Sequence, residues 1–161
     1  MTTTSTSLHK TVFEFLQKQH TGVLSTVSEK KEPWGSTIYF VPDDKLNLYF
    51  IVRSKTHKYK NINKHPMVAI TAFDQPSQTT VQAAGHVSQV PARDITEVAL
   101  EKLSVIQPKS EINWVPPFVK VHKGDWMVLK FTPTYMQYAN YSEQKKDVNE
   151  NYIQRVIDST E

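Results

Sequence analysis

Apolar residues along this chain fall mostly into short runs that alternate with polar ones, the period of half-buried β-strands. The clearest are Ser36–Val41 (STIYFV) and Leu46–Val52 (LNLYFIV), separated by Pro42-Asp43-Asp44-Lys45. β-rich segments on either side of Pro and Asp predict a hairpin. Val23–Val27 alternates ahead of it, and Glu29–Glu32 makes a charged turn between them. Met67–Phe73 reads as a strand opened by Pro66, and Thr79–Val90 as another with Gly85 near its middle. A glycine inside a strand marks a bulge, a bend, or the close approach of a backbone or ligand. Asp125–Thr132 (DWMVLKFT) is a further strand that Pro133 is expected to end, leaving Thr134–Asn140 as a short separate one.

Helical spacing is rarer. Leu8, Val12, Phe13, Phe15 and Leu16 form a stripe over Leu8–Gln19 with Ser7 as its N-cap, and Ala92–Gln107 has the same period before Pro108. Tyr152, Ile153, Val156 and Ile157 predict a short terminal helix in an otherwise polar tail. The low-complexity Thr2–Ser7 run is expected to be disordered. The organisation is thus a disordered 1–7, one domain over 8–140, and a tail over 141–161. Six or seven strands joined mostly by short turns predict a mainly β protein: a closed or partly closed antiparallel barrel with peripheral helices.

Composition narrows the setting. At 161 residues with 39% hydrophobic and 22% charged content, the chain suits one globular domain. No apolar run reaches the ~18 residues of a membrane span, and the polar MTTTSTS start lacks the apolar region of a signal peptide, so a cytoplasmic home is expected. Cysteine is absent, which removes disulfides, thiolate nucleophiles and cysteine metal sites. The net charge of +3 is unevenly spread: residues 1–73 carry ten Lys/Arg against five Asp/Glu, and residues 74–161 nine against eleven.

That excess centres on Arg53–His65, which holds Arg53, Lys55, Lys58, Lys60 and Lys64 and no acidic residue. Ser54 and Thr56 are both candidate helix N-caps there, and Tyr59 and Ile62 share one helical face. Free N–H groups and the dipole of a helix start favour an anion. Lys58 and a hydroxyl from Ser54 or Thr56 complete a phosphate cradle, while the competing reading is a solvated basic surface. It is no P-loop, because the glycines are missing. Nucleic acid is the weaker partner, since only Tyr59 interrupts the basic run.

Other chemistry is sparse. The six histidines show no metal-ligand spacing. His57 stands out for its place in the basic turn, and His86 follows the strand glycine. No nucleophile elbow or dinucleotide fingerprint occurs, so an organic cofactor would carry any chemistry. Asp43-Asp44 reads as turn chemistry. Trp126 is expected in the core, and Trp34 and Trp114 in Pro-containing loops where an aromatic can cover a flat ligand or close an interface.

The order GVLSTVS, WGSTIYFVPDDKLNLYFIV and SKTHKYKNINKHPMVAI resembles the flavin-binding split-barrel family related to pyridoxamine 5′-phosphate oxidase, over about Leu8 to Asn140. The resemblance implies a six-stranded antiparallel split barrel, with FMN at a homodimer interface and its phosphate at a helix start. It places Lys58 as the phosphate lysine, beside Ser54 and Thr56, and His57 where relatives often carry a second cation. It sets Ser36, Thr37, Ile38, Tyr39, Phe40 and Val41 along the isoalloxazine ring, Ile51 and Val52 beside it, and Thr80 near a polar contact. Ser36 and Val41 replace charged residues of the true oxidase, and its C-terminal Trp- and Arg-containing segment has no counterpart after Asn140. The implied function is therefore a flavin oxidoreductase other than that oxidase, using a nicotinamide nucleotide or another small molecule. A non-catalytic flavin or haem carrier or sensor is the alternative, and deazaflavin or haem stay open as cofactors.

Overall fold

In a computed structural model, residues 3–91, 126–142 and 152–159 are described. Helix α1 (Thr3–Gln19) leads into β1 (Thr21–Val27), β2 (Pro33–Pro42) and β3 (Leu48–Arg53). Helix α2 (His57–Lys64) follows, then β4 (Met67–Asp74), β5 (Thr79–Gln89), β6 (Trp126–Asn140) and β7 (Ile153–Asp158). The sheet order is β3-β2-β1-β4-β5-β6-β7, every neighbouring pair is antiparallel, and β3 also pairs with β6. That last pairing closes six strands into a barrel, as the alternating pattern predicts, with β7 as an extra strand.

The alternation fills the barrel. Leu24 of β1, Ile38 and Phe40 of β2, Phe50 and Val52 of β3, Ile70 of β4, Val81 and Ala83 of β5, and Leu129 and Phe131 of β6 point inward and are buried. Val12 and Leu16 bring α1 onto this core, with Leu8, Phe13 and Phe15 around them. The helix begins at Thr3, so the Thr/Ser run expected to be disordered is part of it. Adding turns to a helix already nucleated by packing is far easier than starting one.

Two expectations at the C-terminal end are corrected. Pro133 does not end a strand: β6 continues through it to Asn140, because the pairing shifts between Ala84 and Gly85 and absorbs the missing N–H in a bulge. Gly85 is needed there, since a Cβ would lie 2.2 Å from the Thr132 carbonyl oxygen. The residues expected to form a terminal helix make β7 instead, paired with Tyr135–Ala139 of β6. β3 covers only Trp126–Phe131 of that edge of β6, so the remainder is an open edge that a strand completes and a helix cannot. The expected helix at Ala92–Gln107, Trp114 and the side chain of Trp126 lie outside the described residues.

Candidate anion and cofactor site

β2 meets β3 only through Phe40–Pro42, so the two strands diverge beyond Phe40. The chain leaves β3 at Arg53, turns, and enters α2 beside the free length of β2. Thr56 is the helix cap: its hydroxyl accepts from Tyr59 N at 3.4 Å and donates to Arg53 O at 2.7 Å. Ser54 lies two residues earlier, half-buried in the turn. Ile62 is buried and Tyr59 packs against the core, as their spacing predicts.

The Lys58 ammonium lies across the gap on β2, donating to the Thr37 carbonyl at 3.0 Å. The side chain is half-buried, and burial pulls its pKa below the ordinary lysine value. No carboxylate pairs with it among the described residues. A cation held against one neutral acceptor at a helix start is a group that an anion completes. Lys64, by contrast, is already paired with Glu29 at 3.0 Å.

A buried polar contact fixes the helix in this position. Asn61 Nδ2 donates to Thr26 Oγ1 at 3.0 Å, and both residues are almost fully buried. Sequence reading missed this pair. Its only signal was polar residues at core positions, Thr26 two after Leu24 and Asn61 beside Ile62.

The expected site residues separate by face. Ile38, Phe40, Val41 and Val52 have buried side chains, so β2 and the end of β3 offer a ligand mainly backbone there. Thr37 is exposed, while Ser36, Tyr39 and Ile51 are half-buried. Thr80 lies apart: its hydroxyl donates to Ala72 O at 3.2 Å, and β1 and β4 separate β5 from β2. β5 is thus three strands removed around the barrel from β2, on which Lys58 rests.

His57 meets a different residue of β2 from Lys58. Its ring stacks on Trp34, centroids 4.8 Å apart and planes 8° from parallel. Trp34 is therefore a β2 residue facing α2 rather than a loop aromatic. The pair stands at a cleft of about 550 Å³ between α2 and the β1–β2 turn, which Lys60, Asn61 and Glu32 also line. Among the described residues, no group of three or more His, Asp or Glu side chains is arranged to hold a metal ion. None of the helices there is long and apolar enough to cross a membrane.

The family model for pyridoxamine 5′-phosphate oxidase matches residues 8–140. A comparison with curated proteins gave no match. Among solved structures, a pyridoxamine 5′-phosphate oxidase-related, FMN-binding protein from Nostoc punctiforme is 14% identical with a TM-score of 0.60, over 95% of this chain and 87% of that one. An F420 reductase is 23% identical with a TM-score of 0.60, over 76% of this chain and 93% of that one. A heme binding protein from Mycobacterium smegmatis is 14% identical with a TM-score of 0.63, over 85% of this chain but 56% of that one. At these identities the likeness is one of fold.

Proposed function

This chain belongs to the pyridoxamine 5′-phosphate oxidase family, and from that premise we propose that it is an FMN-binding oxidoreductase distinct from the oxidase that gives the family its name. The observation that carries the reading is Lys58, half-buried at the start of α2 and without an anionic partner among the described residues. A phosphate there meets the ammonium, the Thr56-capped helix start and its free N–H groups. The ring then runs along the backbone of Ser36–Val41 with Ile51 and Val52 beside it. Core side chains on one face hold that stretch of β2 rigid. Bound FMN supplies the electron transfer, and the chain supplies position and electrostatics.

The functional unit in this reading is a homodimer. Val23, Val27, Met67 and Phe73 expose their side chains on the outer face of β1 and β4. An apolar face of this kind needs cover, and a second copy about a two-fold axis is the economical one. It also gives Thr80 a route to a cofactor bound mainly by the partner.

The absorbance spectrum of the purified protein tests the reading, because flavin, deazaflavin and haem absorb differently. A flavin spectrum bleached by a nicotinamide nucleotide is the expected result. A haem spectrum, or flavin that no nicotinamide nucleotide reduces, would favour a carrier or sensor.

A further inference from the structure

Helix α2 presents two working faces. Lys58 leans onto β2, whereas His57, Lys60, Asn61 and Lys64 follow at i, i+3, i+4 and i+7 and line the cleft against the β1–β2 turn. His57 is next to Lys58 in sequence, so a ligand that continues beyond a phosphate at Lys58 passes His57 into this cleft. We propose that the cleft is a nucleotide subsite that takes the adenylate half of a dinucleotide cofactor, the flavin unit and first phosphate lying at Lys58. This rests on the flavin reading above, with the FMN of that reading held as the flavin half of the dinucleotide.

Size and chemistry both favour that occupant. A volume of about 550 Å³ is in the range of small-molecule sites. Trp34 keeps 41% of its surface exposed although His57 lies against its ring, and a base in the cleft would meet that exposed surface. A purine stacks on such a platform whatever its edge chemistry. Lys64 is balanced by Glu29, but Lys60 has no ion pair among the described residues and is placed for the second phosphate. Glu32 supplies a carboxylate, the group that accepts from ribose hydroxyls. An acidic peptide would leave Trp34 idle and meet Glu29 and Glu32. An apolar molecule would cover Lys60 and Glu32 without pairing them.

Titration calorimetry with FMN, FAD and 5′-AMP, on the wild-type protein and on Trp34→Ala and Lys60→Gln, tests this. FAD should bind about tenfold tighter than FMN, near the lower end of what one stacked base contributes. Trp34→Ala should remove that preference and leave FMN affinity within about twofold. Lys60→Gln, an exposed change that spares the fold, should reduce it. Equal binding of FAD and FMN by the wild-type protein overturns the proposal, and so does a preference that survives Trp34→Ala. If FMN does not bind at all, the Lys58 reading fails and 5′-AMP decides for the cleft alone. Binding weakened by Trp34→Ala then upholds the subsite, and no binding at millimolar nucleotide removes it.

Discussion

Lys58 is the residue on which the functional reading turns, and its environment makes the reading testable. A charge-assisted hydrogen bond contributes roughly 1.5–3 kcal/mol, so Lys58→Ala should weaken FMN binding by about one to two decades. Riboflavin, which lacks the phosphate, should be nearly unaffected, and equal losses for both ligands would assign Lys58 to the fold. Burial lowers the Lys58 pKa from the ordinary lysine value. FMN affinity should therefore fall as pH rises through that lowered value, and Lys58→Ala should lose this limb. His20 sets a second dependence on pH. It joins α1 to β1 at φ 50°, and its Nδ1 is buried without a hydrogen-bond partner. Burial holds its pKa below 6.5, so the unfolded chain takes up a proton before the folded one does. The stability that neutral His20 contributes is present above about pH 6.5 and lost as pH falls through the folded value. In urea melts at pH 7.5 and 5.5, His20→Asn should narrow the gap between the two midpoints, since Asn tolerates positive φ. An unchanged gap would place the acid sensitivity elsewhere.

Among the elements, α2 matters most, and its anchorage is polar. Thr26→Val leaves the buried Asn61 amide without its acceptor, a loss of about 1–3 kcal/mol. Thermal unfolding should show that loss. Thr26→Val/Asn61→Leu, which removes both polar groups, should recover part of it while FMN binding stays weakened, because α2 no longer holds Lys58 in place. A Thr26→Val protein as stable as wild type would mean that the helix is held by Ile62 and Tyr59 alone. The hairpin shows the opposite balance, a turn whose residues announce it. Asp43 accepts from the backbone N–H groups of Lys45 and Asn47 and from the Asn47 amide and Tyr49 hydroxyl. This is the turn chemistry its sequence implies. Leu46 nonetheless takes φ 62° with its side chain fully buried, a conformation that only core packing holds in a leucine.

At the scale of the whole molecule, the outer face of β1 and β4 is the exposed apolar surface on which the dimer proposal rests. Val23 pairs with Thr71 and Ser25 with Ala69 across it, so Val23, Val27, Met67 and Phe73 share that face. Phe73, 53% exposed, is the residue to change. Light scattering should give a dimer for the wild-type protein at micromolar concentration and a monomer for Phe73→Glu. FMN affinity should fall with the dimer if the partner completes the site. A wild-type monomer with cofactor bound would sink this reading.

The sequence by itself determined the first five strands, because period-two alternation survives in any context where one face is buried. It also marked α2 and narrowed its cap to Ser54 or Thr56, of which the structure takes Thr56, since hydroxyl caps and the Tyr59–Ile62 spacing are local signals. The prominence of Lys58 came from the same stretch, as a cation in a run without acids. Tertiary structure decided what depends on partners distant in the chain. β7 is a strand because β6 outlasts β3, and a four-residue apolar spacing cannot reveal an open edge elsewhere. β6 passes through Pro133 because Gly85, far away in sequence, lets the two backbones close up. Lys58 and His57, adjacent and seemingly alike in role, part company because β2 offers a carbonyl to one and an indole to the other. Local chemistry selects each element, and the closing of the barrel selects what each side chain meets.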